Sequence, residues 1–193
     1  MKILIIHYRY YQASGPERYL FNIMELLESK GHEVIPFSLK YKKNISSKFS
    51  EYFPEPIGSK SEFHYSAQEN IHPLNQISII KNAFYNSNVY RGLDRLIKNE
   101  KPDIAYVFQF WGKLSSSIIQ CCYDNKIPIV LRLSDYGLIC SKYIFYRNGE
   151  ICTKCLDNKI HGALNKCVSN SVSKSIVNYM LLQNFYLSKM LNK

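Results

Sequence analysis

The first 37 residues constrain the fold of this chain more than any other segment. Residues 2–7 form an aliphatic run of the kind found in parallel strands that are covered on both faces. After a loop, a helix is predicted that ends at Gly31. Its apolar residues recur at helical spacing: Leu20, Ile23, Met24 and Leu27. A second short strand at residues 34–37 completes a strand-helix-strand unit, which predicts a parallel sheet with covering helices.

The later segments continue this alternation of helices and strands. Further strands are predicted at 104–108 and 127–133, and further helices at 77–84, 89–97, 114–123 and 172–191. The predicted fold class is therefore α/β, a Rossmann-like doubly wound parallel sheet. We expect a single domain over residues 1–193, with an irregular insertion at 39–72 and a cysteine-rich loop segment at 134–167.

The formal net charge of +10 favours an anionic partner: nucleic acid, an acidic membrane surface or a phosphorylated small molecule. The lysines are spread along the chain, without the run of roughly five or six like charges that is typical of a nucleic-acid tail. Solvated lysine side chains explain the charge equally well. The N-terminal apolar run is too short for a signal peptide, and no window reaches the ~18 apolar residues of a membrane span. We therefore expect a cytoplasmic protein with reduced cysteines.

The loops that follow the strands hold the first candidate site residues, because ligands of open α/β sheets bind at the carboxyl ends of the strands. Gly15 lets the backbone approach a ligand, and the helix start from Ser14 to Arg18 offers amide groups to a phosphate. A plain turn is the alternative. The Gly-x-Gly-x-x-Gly and Walker patterns are absent from this loop. In the loop 109–113, Trp111 offers an aromatic face beside Gly112 and Lys113, a mixture that suits a sugar ring or a base, and core packing is the alternative role of Trp111.

Polar residues follow the predicted strand at 127–133. Ser134, Asp135 and Tyr136 would lie at the mouth of the ligand cleft if this strand ends at the same edge as the others. A simple Asx turn explains Asp135 nearly as well.

Four cysteines share a spacing of C-x11-C-x2-C-x11-C: Cys140, Cys152, Cys155 and Cys167. Four thiolates form a closed tetrahedral zinc site, which is structural because no coordination position stays open. The pattern has one Cys-x-x-Cys pair where a zinc ribbon has two, so buried free thiols are the alternative and disulfides a minor one. His161 could replace one ligand. The adjacent pair at 121–122 lies within a predicted helix and suits packing.

Several segments, taken in order, resemble family 4 glycosyltransferases. They are the opening run 1–7, the loop Ser14-Gly15-Pro16-Glu17-Arg18, the passage from Glu25 to Val34, Lys101-Pro102-Asp103-Ile104, Ile127-Pro128-Ile129-Val130 and Ser134-Asp135-Tyr136-x-x-x-Cys140. Arg147-Asn148-Gly149-x-x-Cys152-x-x-Cys155 and the later Cys167 are similar to a cysteine-bearing subgroup of that family. The likeness covers nearly the whole chain, and it depends on the order and spacing of the segments together.

That resemblance implies the N-terminal half of a GT-B fold, which consists of two Rossmann-like domains. It implies retaining transfer of a sugar, of the hexosyltransferase type, from a nucleotide-sugar donor to a glycan or lipid-linked acceptor, as in polysaccharide biosynthesis, without a catalytic metal or other required cofactor. The N-terminal domain would mainly hold the acceptor, and Gly15 would face the donor diphosphate. Ser14 stands where many members have a second glycine, and Ser134 where many have histidine.

The same resemblance places the catalytic motif of the family, Glu-x7-Glu, in a C-terminal donor-binding domain that would follow a helix like the last one. We expect that domain to be absent from this chain, so that the chain is inactive alone and is either truncated or in need of a separate partner chain. Peripheral contact with the inner face of the membrane is compatible with this hypothesis. The competing hypothesis is a non-enzymatic basic zinc module that contacts nucleic acid, although no recognised nucleic-acid motif accompanies the charge.

Overall fold

The computed structural model describes residues 1–56 and 73–188, which divide into two compact units. The sheet unit consists of residues 1–56 and 73–134, and the cysteine unit consists of residues 135–188. Part of the predicted insertion, at 57–72, and the predicted end of the last helix, at 189–191, lie outside the described residues.

Four parallel strands form the sheet of the sheet unit. They are β1 (Lys2–Ile6), β2 (Glu33–Phe37), β3 (Ile104–Val107) and β4 (Ile129–Leu131), in the spatial order β2-β1-β3-β4. In this register Ile5 lies opposite Pro36 on one side and Tyr106 on the other. The predicted α/β class is therefore confirmed, and the parallel sheet is compatible with a Rossmann-like fold.

Four helices accompany this sheet: α1 (Gly15–Ser29), α2 (Pro73–Phe84), α3 (Ser87–Glu100) and α4 (Ser117–Asp124). As predicted, Gly31 ends α1; it has a φ of +80°, and its amide donates to Glu28 O at 2.9 Å. Helix α3 ends at Lys101, which is in the left-handed region with a φ of 51°, directly before Pro102. Both ends stop their helices just before the next strand.

Helices cover both faces of β1 and β2. On one face Leu20 and Met24 of α1 pack in a cluster with Ile3, Ile5 and other buried apolar residues. Successive side chains of a strand point to opposite faces, so Phe37, which is aligned with Ile6, lies on the other face. There the Phe37 ring would lie 3.6 Å from a Cβ added at Gly92 of α3. This double cover explains the uninterrupted aliphatic run of β1.

Strand β4 is shorter than the strand predicted at 127–133. It pairs only with β3 among the described residues, and its central side chain, Val130, is 48% exposed. The apolar run therefore does not report a strand that is buried on both faces. The described part of the insertion, residues 39–56, contains a short 3-10 helix at Ser50–Tyr52 and is packed through the buried Phe49 and Phe53.

Asn86 is a side-chain cap that fixes the start of α3. Its Oδ1 accepts hydrogen bonds from Asn88 N at 3.1 Å and Val89 N at 3.2 Å, and the residue is buried. We expect Asn86→Ala to lower the free energy of unfolding by about 1–2 kcal/mol, because two amides lose their acceptor. Urea unfolding would measure this loss. Asn22→Ala, at an exposed position of α1, is the matched control and should be neutral or slightly stabilising.

The cysteine unit is built from short elements and one long helix. They are β5 (Tyr146–Arg147), β6 (Glu150–Ile151), α5 (Lys154–Asp157), α6 (Ile160–Leu164) and α7 (Val172–Leu187). The two strands form an antiparallel hairpin whose turn, Asn148-Gly149, has positive φ angles of 54° and 86°. This is the sequence signal of a tight hairpin turn. Within the described residues no helix is long and apolar enough to cross a bilayer.

Candidate ligand site at the carboxyl edge of the sheet

The loops after β1 and β3 meet at the carboxyl edge of the sheet. Tyr8 N donates to Gln109 O at 3.2 Å, and Phe108 N donates to Ile6 O at 2.9 Å. In the order β2-β1-β3-β4 the connection from β1 leads to β2 on one side, and the connection from β3 leads to β4 on the other side. The carboxyl ends of β1 and β3 are therefore the topological switch point of the sheet. Ligands of open α/β sheets bind in the crevice at such a point.

A fully buried carboxylate lies beneath this edge. Glu17 of α1 is 0% exposed, accepts a hydrogen bond from Ser14 Oγ at 2.6 Å and pairs with Arg9 Nη1 at 3.3 Å. The buried His7, directly after β1, places its Nε2 4.0 Å from Glu17 Oε1. Its Nδ1 lies 3.0 Å from Arg9 N. One carboxylate thus connects the end of β1, the loop and the start of α1.

The charges of this network follow from burial and pairing. Burial by itself would raise the pKa of the Glu17 carboxyl, but Ser14, the Glu17 backbone amide, His7 and Arg9 together hold that pKa below its ordinary value. Burial lowers the pKa of His7, and it outweighs the opposite effects of the Arg9 backbone and Glu17. At neutral pH a Glu17 carboxylate and an Arg9 guanidinium therefore lie beside a neutral imidazole.

The residues Ser14-x-x-Glu17 have the sequence of a capping box, but their side chains pair with each other instead. Ser14 is the N-cap residue of α1, yet its side chain makes no cap hydrogen bond, because its hydroxyl donates to the Glu17 carboxylate. That carboxylate supplies a negative charge at the positive end of the α1 dipole. The free amides that we predicted for a phosphate thus already have an internal anion beside them.

Three cationic side chains accompany this one carboxylate at the carboxyl edge. The Arg9 guanidinium lies over the Tyr8 ring, 4.8 Å from its centre, and Arg132, after β4, lies 4.0 Å from the centre of the Tyr19 ring. Burial and the charge of Arg9 lower the pKa of Lys113, in the loop after β3, to about 8. Cations stacked on aromatic rings, together with a half-buried lysine, form an edge suited to a flat, anionic ligand.

The structure places the predicted residues of the first two loops at this edge in different environments. Ser14, Gly15 and Arg18 are exposed at the start of α1, and a Cβ added at Gly15 would meet no atom of the described residues within 4 Å beyond its chain neighbours. Trp111 is half-buried and packs edge-on against Phe110, with ring centres 6.0 Å apart. Space for a ligand is therefore open over Gly15, whereas the Trp111 ring is partly used in packing.

The polar residues after β4 fall on both sides of a unit boundary. Ser134, the last residue of the sheet unit, accepts a hydrogen bond from Arg132 Nη1 at 2.6 Å. In the cysteine unit Asp135 Oδ1 accepts from Gly137 N at 2.7 Å, which is the Asx turn considered as its alternative role. The exposed Tyr136 packs on Phe145, with ring centres 4.7 Å apart.

All six cysteines are free thiols, in two different settings. Cys121 and Cys122 of α4 are fully buried, and burial raises the pKa of Cys122 to about 12, which suits packing residues. Cys140 and Cys155 are buried in the cysteine unit, where Cys152 and Cys167 are half-buried. Among the residues that the structure describes, no group of three or more His, Cys, Asp or Glu side chains is already arranged as a metal site.

Sequence reasoning missed three residues of the site: His7, Arg9 and Glu17. A signal existed for two of them, because His7 and Arg9 directly follow a strand that must end at the ligand edge. Glu17 appears only as a good first-turn residue of α1, and nothing local shows that it is buried. Lys113 lies in the loop that the sequence selects, but its lowered pKa follows from burial and from Arg9, about a hundred residues away in the chain.

Comparison with known proteins leaves the chain without an assigned family. No protein-family model, curated protein or solved structure matches it.

Proposed function

We propose that the sheet unit binds a phosphorylated sugar ligand and that the chain is the acceptor-side half of a retaining glycosyltransferase of the GT-B type. The sequence resemblance supports the class of enzyme. The donor-binding domain with its catalytic glutamates would come from a further segment or a partner chain. A nucleotide sugar would be the donor, a glycan or lipid-linked sugar the acceptor, and a lipid-linked acceptor would place the protein at the inner face of the membrane.

The observation that carries this proposal is the set of cationic side chains in the loops that follow β1, β3 and β4: Arg9, Lys113 and Arg132. Glu17 holds Arg9 in place through the 3.3 Å pair. Guanidinium and ammonium groups form strong, charge-assisted hydrogen bonds with diphosphate or phosphate oxygens. The Arg9 and Arg132 guanidinium groups lie over the Tyr8 and Tyr19 rings, which hold these cations at the edge.

Titration calorimetry of the 193-residue chain with nucleoside diphosphates and nucleotide sugars tests this proposal. Lys113→Met should weaken diphosphate binding roughly 10-fold to 100-fold, because a hydrogen bond to a charged group contributes about 1.5–3 kcal/mol. Affinity of the unmodified chain should also fall about tenfold from pH 7 to pH 9, since Lys113 loses its proton as the pH rises through about 8. The Lys113→Met chain should lack this fall.

Lys42→Met is the matched control, because Lys42 is an exposed lysine of the same unit and its loss changes the net charge equally. Equal weakening by both variants would mean that only the overall charge attracts the ligand, against a built site. Sugar transfer by the isolated chain at ordinary rates would contradict the half-enzyme proposal. Steeply salt-dependent binding of oligonucleotides, without any response to nucleotide sugars, would favour the nucleic-acid-binding module instead.

A further inference from the structure

The four cysteines of the cysteine unit form a second cluster of reactive side chains. They come from four places in this unit: the turn before β5, the residue after β6, helix α5, and the segment between α6 and α7. Backbone hydrogen bonds connect two of these places to other segments of the same unit. Cys152 N donates to Phe145 O at 2.8 Å, and Cys167 N donates to Gly162 O of α6 at 3.0 Å.

Helix α6 lies directly against this cluster. A Cβ added at Gly162 would collide with the Ser141 side chain and lie 3.8 Å from Cys155 Sγ. Ser141 directly follows Cys140, the Cys167 amide donates to Gly162 O, and Cys152 stands three residues before Cys155. The fold therefore brings the four cysteines close together, although the first and the last are 27 residues apart in the chain.

Basic side chains lie in the same unit as these sulfurs. Arg147 belongs to β5, and Lys159 lies just before α6. A zinc ion with four thiolate ligands carries a net negative charge, which such basic neighbours offset.

The cysteine unit has little else to hold it together. Its buried apolar side chains are Cys140, Cys155, Leu181, Leu182 and Phe185, so two of the five are members of the cluster. Six non-glycine residues have left-handed backbones: Tyr143, Phe145, Asn148, Lys166, Ser169 and Asn170. Such conformations persist only where the surrounding structure enforces them, and small units with a small core use disulfides or metals for that purpose.

We propose that Cys140, Cys152, Cys155 and Cys167 bind one zinc ion as a closed structural site. Four thiolates in a reducing compartment are the donor set that zinc favours, and full coordination leaves no position for catalysis. The sulfurs are neighbours without yet being arranged as a metal site, so the loops that carry them must close around the ion. Binding would then stabilise the cysteine unit directly. This proposal does not depend on the ligand of the sheet unit.

Elemental analysis of the full chain, purified without chelators, is the first test. We expect about one zinc per chain, lost in Cys152→Ser and Cys155→Ser. Cys122→Ala, which removes a fully buried thiol of the sheet unit, is the matched control and should retain the zinc. Zinc retained at full stoichiometry by both serine variants would overturn this ligand set.

A second measurement does not depend on whether the variants fold. The unmodified chain, stripped with a chelator, is titrated with Co²⁺ and followed by its absorption. One equivalent should produce the sulfur-to-cobalt and visible bands of a tetrahedral thiolate site, and Zn²⁺ should remove them. A metal-free chain that keeps its circular dichroism, leaves four thiols reactive toward a thiol reagent and gives no such bands would overturn the proposal.

Discussion

Replacing Glu17 with alanine should lower the free energy of unfolding by about 3–5 kcal/mol, the largest effect that we expect from a single substitution in the sheet unit. Removing one partner of a buried ion pair leaves the other charge without compensation, and the Arg9 side chain is only 13% exposed. Ser14 Oγ also loses its acceptor. In thermal unfolding the loss corresponds to a fall in Tm of roughly 10 °C for a chain of this size.

Glu25→Ala is the control for this substitution, because Glu25 is an exposed glutamate on the same helix and its loss should change stability by less than ~0.5 kcal/mol. Glu17→Gln keeps the shape of the side chain and removes only its charge. Since the folded chain holds the pKa of Glu17 below its ordinary value of 4.5, the charge stabilises the fold above that pH. The difference between the unmodified chain and Glu17→Gln should therefore be full at pH 7 and shrink as the pH falls below 4.5. Equal stability of Glu17→Ala and Glu25→Ala would contradict a buried ion pair.

Gly92→Ala should have the second largest effect, a loss of about 1–3 kcal/mol in the free energy of unfolding. A Cβ at this position of α3 would lie 2.5 Å from the backbone oxygen of Tyr52 and 3.6 Å from the Phe37 ring. The colliding atom belongs to the backbone, so no side-chain rotation relieves the contact. Either α3 or the segment 50–52 has to move.

Gly15→Ala is the matched control for Gly92→Ala. A Cβ there would meet no atom of the described residues within 4 Å beyond its chain neighbours Ser14 and Pro16. Alanine restricts the unfolded chain but is less suited than glycine to a helical position before proline, so stability should change by less than ~1 kcal/mol. Urea unfolding of both variants measures the difference. A destabilisation of similar size at both positions would mean that lost backbone freedom decides the effect, and not the close approach of α3 to Tyr52.

The strands and long helices are predictable from the sequence because their signals are local. The aliphatic run of β1 and the helical spacing of Leu20 and Met24 report burial that the structure confirms. The predicted strand at 127–133 is longer than β4. A hydrophobic run indicates apolar side chains, but it does not indicate how many of them a neighbouring element covers. The hairpin at Asn148-Gly149 had a local signal, but its strands are only two residues long and show no period.

The candidate site is only partly predictable, since its chemistry depends on contacts between distant segments. The position of Ser14 and Gly15 at the ligand edge follows from the topology rule for parallel sheets. The buried charge of Glu17 does not, because it requires Arg9 and His7 to fold over the start of α1. Local patterns likewise select Trp111 in the loop after β3, whereas the proximity of Arg9 to Lys113 exists only in the folded chain.

The two outer edges of the four-stranded sheet differ in their capacity to accept another strand. Glu33 N donates to Met1 O and His7 N donates to Phe37 O, so the odd-numbered residues of β2 face β1 and the even-numbered ones face outward. One of the two outward residues is Pro36, which has no amide hydrogen to donate. A strand that added beside β2 would lack one of the amide donors it needs for regular pairing. A proline at a sheet edge is one way in which proteins prevent edge-to-edge aggregation. The addition of a further strand to this sheet, from the same chain or from another, is therefore favoured beside β4 and not beside β2.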